Sequence, residues 1–293
     1  MGSNPGRRTV VVAASAGGIE ALQTLLSRLP ADFPSPMLVI LHVPATGGRA
    51  LPRIMNRAGR LRAAAAIDGE ELRPGRLYLA PPDRHLLVVG DQVRLSAGPA
   101  QYGHRPAADP LFRSAALAQG PRVIGVVLSG TLDDGAAGSA AVERHGGMVV
   151  VQDPAESPYP GMPRAALAAT ARAAVLKVRQ IAQFLDEECH LQVELATQPP
   201  DPELERYVAL LLNKPPPAGA ESSLICPACG GPLRSDKLGA EPLSYECGFG
   251  HSWSPARLSV ERSAPVERAR SSATLRLEER WREQDDEGQG KPG

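Results

Sequence analysis

The chain has 293 residues, 43% of them hydrophobic and 22% charged, and its 32 basic and 32 acidic side chains give a formal net charge of zero. That length accommodates one α/β domain of ordinary size plus a smaller unit, since domains cluster near ~100–200 residues. A neutral chain has no broad electrostatic footprint for nucleic acid or an anionic membrane surface. No apolar run approaches the ~20 residues of a membrane-spanning helix, and the apolar stretch Val10–Ala14 behind the basic N-terminus is too short for a signal-peptide core. The expectation is a cytoplasmic protein that binds no nucleic acid and does not insert into membranes. Cys189, Cys226, Cys229 and Cys247 are too few in too long a chain for a disulfide scaffold, so the last three point to a metal.

Over residues 1–180, short β-branched runs alternate with segments of helical spacing. The runs are Thr9–Ala14, Met37–Val43, Val123–Gly130, Met148–Gln152 and Ala174–Val178. Behind the first, Ile19, Leu22, Leu25, Leu26 and Leu29 recur at three- and four-residue steps, forming an apolar helix face that Pro30 ends. Ala136 to His145 is helix-permissive, and Gly146-Gly147 stops it. This alternation predicts an α/β fold: a doubly wound, mostly parallel sheet with helices on both faces. A small antiparallel insertion is expected from Leu77–Leu79, Leu86–Val89 and Val93–Leu95, with Gly90-Asp91 as a turn.

Composition changes near residue 195. Pro199-Pro200-Asp201-Pro202 and Pro215-Pro216-Pro217 bracket a short helix, Glu203–Leu212, so 195–223 reads as a Pro-rich linker. The cysteine-bearing unit occupies 224–256. A charged, helix-prone stretch with Leu277 and Trp281 spans 257–284, and the polar end, 285–293, is expected to be disordered.

Ala13-Ala14-Ser15-Ala16-Gly17-Gly18 sits where a buried strand turns into an amphipathic helix. A nucleophile elbow needs that context, with small residues two before and two after the serine, here Ala13 and Gly17. The N–H groups of Ala16, Gly17 and Gly18 are then candidates to stabilise an oxyanion. Two other readings fit the same residues: a turn in which Ser15 caps the helix, and a phosphate loop, although the G-x-G-x-x-G spacing and Walker lysine are absent. A serine nucleophile requires a base, and the base an orienting carboxylate. His42 ends the second strand and Asp133-Asp134 follows another, so all three groups reach the edge where open α/β sheets gather their chemistry. Singly, His42 is equally a satisfied structural histidine, and an acid before Gly135 equally a turn or cap.

The segments Ala14-Ser15-Ala16-Gly17-Gly18, His42-Val43-Pro44 and Leu77-Tyr78-Leu79-Ala80-Pro81-Pro82-Asp83-Arg84-His85-Leu86 occur in that order. They continue with Arg105-Pro106-Ala107-Ala108-Asp109-Pro110-Leu111-Phe112, Leu128-Ser129-Gly130, Asp134-Gly135-Ala136-Ala137-Gly138, Val151-Gln152-Asp153-Pro154 and Gly161-Met162-Pro163. Together they resemble the catalytic domain of the chemotaxis protein-glutamate methylesterases, the CheB type, over residues 9–190. The resemblance implies a serine hydrolase with Ser15 as nucleophile, His42 as general base and acid, and Asp134 as orienting carboxylate. Asp134 is preferred to Asp133 because it directly precedes the matching Gly135-Ala136. The implied substrate is a methylated glutamate of a chemoreceptor or receptor-like protein, with glutamine deamidation as a second activity of the same site. No cofactor is implied for catalysis, and other chemosensory signalling proteins are implied as partners.

Three departures accompany the resemblance. The family usually has glycine at Ala13 and at Leu132, and it usually carries an N-terminal phosphorylatable receiver domain, which is not expected in a chain that enters the catalytic strand by residue 9. The first two favour a runner-up reading, a catalytically weakened esterase fold that serves as an interaction module in a chemosensory complex. His85, His104 and His145 are the histidines that rival His42, and of these His85 reads as structural. Arg105 and Asp109-Pro110-Leu111 read either as substrate-positioning or as loop-anchoring groups.

Cys226-Pro227-Ala228-Cys229-Gly230-Gly231 is a C-x₂-C knuckle, and Cys247 and His251 follow with three residues between them. A Cys₃His set closes a tetrahedral shell with no open position, so the expected metal is structural zinc. A unit this small cannot fold on a core of its own, and metal binding would supply its stability. The alternative is a knuckle that no longer holds metal. A similar Cys-Pro-x-Cys-Gly-Gly…Cys-x-x-Gly-His tail follows some methylesterase domains. Cys189-His190 reads as a structural helix end. Because 195–223 reads as linker, truncation after Glu194 is expected to leave a folded, active domain.

Overall fold

A computed structural model of the chain describes residues 6–42, 50–101, 103–193, 200–212, 224, 226–228, 233–238, 241–247 and 251–261. Its strands are β1 (Thr9–Ala14), β2 (Met37–Leu41), β3 (Arg62–Ala65), β4 (Arg76–Leu79), β5 (His85–Val89), β6 (Gln92–Ser96), β7 (Val123–Val127), β8 (Met148–Gln152) and β9 (Ala174–Leu176). The helices between and after them are α1 (Gly18–Leu26), α2 (Leu51–Ala58), α3 (Ala108–Gln119), α4 (Ala136–Arg144), α5 (Gly161–Ala169), α6 (Val178–Cys189) and α7 (Pro202–Leu211).

Seven strands form one sheet in the order β3-β4-β2-β1-β7-β8-β9, every pair parallel. β1 reads as an unbroken apolar run because both of its faces are covered. Val10, Val12 and Ala14 face a core shared with Leu22 and Leu25 of α1, Met55 of α2, and Ile181 and Leu185 of α6. Val11 and Ala13 face a second core containing Phe112 of α3, Ala141 of α4 and Tyr207 of α7. The chain winds outward from β1 through β2 to one edge, then returns to β7 on the other side of β1. Two loops at the carboxyl ends of neighbouring strands therefore diverge there, and the crevice between them is where doubly wound sheets bind ligands.

Two expectations are corrected, and one strand is added to them. Leu77–Leu79 belongs to β4, a parallel member of the main sheet between β2 and β3, and only β5 and β6 form the antiparallel hairpin. The helix foreseen within the 195–223 linker is α7, and it is packed rather than loose. Asp201 caps it by accepting from the Leu204 N–H at 2.9 Å, and Leu204, Tyr207, Val208 and Leu211 are buried in the second core. Truncation before residue 200 would remove those side chains from the α/β body. β3, an alanine-rich edge strand, was not foreseen at all.

The cysteine-bearing unit contains a small antiparallel sheet of β10 (Leu233–Leu238), β11 (Glu241–Cys247) and β12 (Ser252–Trp253), followed by a helix over 255–261, α8. The remainder of the stretch expected to be helical over 257–284, and the tail 285–293, lie outside the described residues. Among the described residues no helix is long and apolar enough to cross a membrane.

Candidate functional site

Ser15 is the first residue past β1. Its N–H donates to the Ser129 carbonyl at 2.9 Å, and its own carbonyl accepts from the Gly18 N–H at 2.9 Å. Gly17 closes this turn at φ 71°, where a side chain would also meet the Ser129 hydroxyl at 2.8 Å, so only glycine fits both the conformation and the space. α1 begins at Gly18 and points its N-terminus back toward the serine. The Gly18 N–H is thus already committed, and of the three oxyanion candidates Ala16 and Gly17 are left.

His42 follows β2, its N–H donating to the Ala14 carbonyl at 3.1 Å. Its Nε2 lies 2.8 Å from Asp134 Oδ2. With Nε2 held by the carboxylate, Nδ1 is the nitrogen left to exchange a proton with a hydroxyl. Asp134 lies beyond β7, is buried, and accepts two further bonds at the N-terminus of α3: from Ala108 N–H at 2.7 Å and Asp109 N–H at 3.1 Å. Burial pushes this carboxyl up, but the hydrogen bond and charge of His42, with the two N–H donors, outweigh it and hold it below the usual carboxylate range. It is therefore an anion at neutral pH.

Ser15, His42 and Asp134 line one pocket of about 130 Å³, together with His104, Thr131, Leu132, Asp133 and Arg257. His104 is stacked on His42 with ring centroids 4.6 Å apart and planes 17° from parallel. Reciprocal backbone bonds between Gln101 and His104, at 3.0 and 2.8 Å, fix the loop that presents it. Asp133 differs sharply from its neighbour. Its side chain accepts from Ser254, and burial, aided by the adjacent Asp134 charge, pushes its carboxyl up. Leu132, just before the pair, adopts φ 62°, a left-handed conformation that glycine takes without strain.

His85 is buried on β5, its Nε2 3.0 Å from the Pro99 carbonyl, and burial drives its pKa down to about 4. Arg105 binds Asp83 with two nitrogens, at 2.9 and 2.6 Å, and the carbonyls of Ala97 and Gly98, so it anchors the loop behind the hairpin. Asp109 is buried and accepts the Gly138 N–H at 2.7 Å, tying α3 to α4. His145 is buried with Nδ1 on the Ala141 carbonyl at 2.9 Å. Burial raises the Cys189 thiol to about 11, which leaves it unreactive at neutral pH.

Cys226, Cys247 and His251 place their ligand atoms within 4.8 Å of one another, a set that could hold a metal ion. Cys247 Sγ lies 3.4 Å from His251 Nδ1, close to the ~3.6 Å that standard Zn–S and Zn–N lengths imply across a tetrahedral shell. The His251 N–H and the Trp253 Nε1–H donate to Cys247 and Cys226 sulfur at 3.3 and 3.2 Å, as suits thiolates. Burial lowers the His251 pKa, favouring the neutral ring that a ligand must be. Cys229, the fourth expected ligand, lies outside the described residues.

This unit is not remote from the site. Arg113, on α3, contacts Glu246 at 3.4 Å and Ser244 at 3.3 Å, Gln101 bridges to Ser252, and Ser254 donates to Asp133. Arg257 was not foreseen as a site residue, and His104 was expected only as a rival to His42. His104 directly precedes the family-like segment that opens at Arg105-Pro106, and that adjacency is its signal in the sequence.

Residues 10–185 match the family described as CheB methylesterase. A protein-glutamate methylesterase/protein-glutamine glutaminase of Anaeromyxobacter dehalogenans is 45% identical over 183 residues, which are 62% of this chain and 54% of that protein, so the chain spans about half its length. A putative protein of the same name from Leptospira interrogans is 36% identical over 176 residues, 60% of this chain and 91% of its own. The solved catalytic domain of the Thermotoga maritima CheB methylesterase is similar with a TM-score of 0.60 and 31% identity, over 62% of this chain and 98% of that one. Through its α/β body, the chain belongs to the CheB methylesterase family.

Proposed function

We propose that the chain is a protein-glutamate methylesterase in which Ser15, His42 and Asp134 are the catalytic triad. The observation that carries this reading is the 2.8 Å contact between His42 and a buried, anionic Asp134, in the same pocket as a serine held on a strand-to-helix turn. His42 takes the Ser15 proton as the oxygen attacks the γ-ester carbonyl, and the N–H groups of Ala16 and Gly17 receive the oxyanion. The proton then passes from His42 to departing methanol. Water activated by His42 cleaves the acyl-serine, leaving a glutamate carboxylate and the free serine. Asp134 stabilises the imidazolium formed in each half-reaction. The same steps applied to a glutamine side chain release ammonia, the second activity in the relatives' name.

No cofactor takes part in these steps. Methylated chemoreceptors are the proposed substrates, with cytoplasmic chemosensory proteins as partners. The Cys226/Cys247/His251 set, completed by Cys229, is proposed to hold a structural zinc; one equivalent of zinc per chain, lost in Cys226→Ser together with part of the thermal stability, is the expected result. A fluorophosphonate should label the wild-type chain and fail to label Ser15→Ala, and methanol release from a methylated receptor should follow the same pattern. A folded wild-type chain that takes no label would favour the interaction-module reading.

A further inference from the structure

The pocket that holds Ser15 and His42 is built from two units. One of its walls is Arg257, on α8, six positions after the metal-set residue His251. The intervening Ser252 and Ser254 are buried against the α/β body, so the unit's docking fixes where this guanidinium stands. Arg257 Nη2 is 2.8 Å from Glu261, one turn further along, which occupies one edge of the fork. Its Nε is buried and has no acceptor among the described residues. The two acids that line the pocket with it have other partners: Asp134 holds His42 and two backbone N–H groups, and Asp133 holds Ser254. Glu261 satisfies this guanidinium only in part, and because the side chain lines the pocket of Ser15 and His42 it can donate to a carboxylate oxygen brought in beside the ester.

We infer that Arg257 is a substrate-specificity residue of the esterase site, its guanidinium taking a carboxylate that flanks the scissile glutamyl ester. This rests on the methylesterase reading above and adds to it a substrate class, a methyl ester within an acidic segment. It also gives the cysteine-bearing unit a part in recognition, since that unit delivers the residue.

The test compares two peptides with a central glutamate γ-methyl ester, one flanked by glutamates and the other by glutamines, assayed for methanol release with the full chain. Wild type should favour the acidic peptide in kcat/KM by about tenfold or more, the size of one charge-assisted hydrogen bond. Arg257→Gln should bring the ratio near one, Arg257→Glu should invert it, and Arg257→Lys should keep part of it. Raising NaCl from about 50 to about 500 mM should shrink the wild-type ratio and leave that of Arg257→Gln in place, because screening acts on the charge pair. Release without a preference in wild type, or an unchanged ratio in Arg257→Gln, overturns the assignment of Arg257 alone. Neither methanol release nor fluorophosphonate labelling in wild type overturns the esterase reading and this inference with it.

Discussion

His85 links the pH of the solution to the integrity of the loop behind the site. The imidazole is fully buried, one nitrogen bonded to the Pro99 carbonyl and the other without a partner among the described residues. Burial disfavours the charged ring and sets its pKa at about 4, against 6.5 for an exposed histidine. That difference corresponds to about 3 kcal/mol between the two protonation states. The unfolded chain takes up the proton first, so the contribution is complete above pH 6.5 and is lost as the pH falls toward 4. By linkage about 2 kcal/mol of it is gone at pH 5. Urea unfolding at pH 7.5 and pH 5 measures this directly, with His85→Gln as reference, since the glutamine amide can still reach Pro99. Carboxylates titrate in both proteins, and their contributions cancel in the comparison. Wild type should lose about 2 kcal/mol more than the variant between the two pH values. An equal loss in both proteins would refute the buried-neutral account of His85.

The adjacent acids should separate cleanly in methanol-release assays. Asp134→Asn should lower kcat by about 10⁴, the effect of presenting the wrong imidazole tautomer, while Asp133→Asn, whose carboxyl faces Ser254, should change it less than about tenfold; the reverse order would overturn the assignment. Leu132→Gly relieves a left-handed leucine and should raise the denaturant midpoint by the equivalent of about 0.5–1 kcal/mol, net of the entropy glycine adds to the unfolded chain; a lower midpoint would show that the leucine side chain outweighs its backbone strain. Ending the chain at residue 193 removes four buried α7 side chains, each contributing roughly 1.5–3 kcal/mol, so circular dichroism should show no cooperative unfolding, whereas ending it after Leu212 should preserve the transition. A wild-type transition in the shorter form would refute the packing described for α7.

Much of the α/β body was legible because its signals are local. β1 is a continuous β-branched run, α1 carries its leucines at helical steps, and the serine, histidine and aspartate each sit where a strand ends. Strand direction is not local: Leu77–Leu79 looks the same whether paired parallel or antiparallel, and only the loop before it decides. Arg62–Ala65 was invisible because three alanines carry no β preference. α7 was visible as a helix, but its prolines read as linker, whereas Pro202 is simply the favoured first residue of a capped helix. His104 and Arg257 enter the pocket through contacts between segments far apart in sequence, and no spacing rule reports those.

α3 starts without a capping side chain of its own, since Ala107 has none to offer, and the two N–H groups at its head are satisfied by Asp134, 26 and 25 residues away. The proposed orienting carboxylate of the triad is therefore also a structural fastener. Functional carboxylates usually tax the fold that holds them, and neutralising one commonly makes a protein sturdier. This chain should behave in the opposite way: a variant that gives up Asp134 loses its chemistry and a helix cap in the same step, so drift toward an inactive but more robust protein is closed at this position.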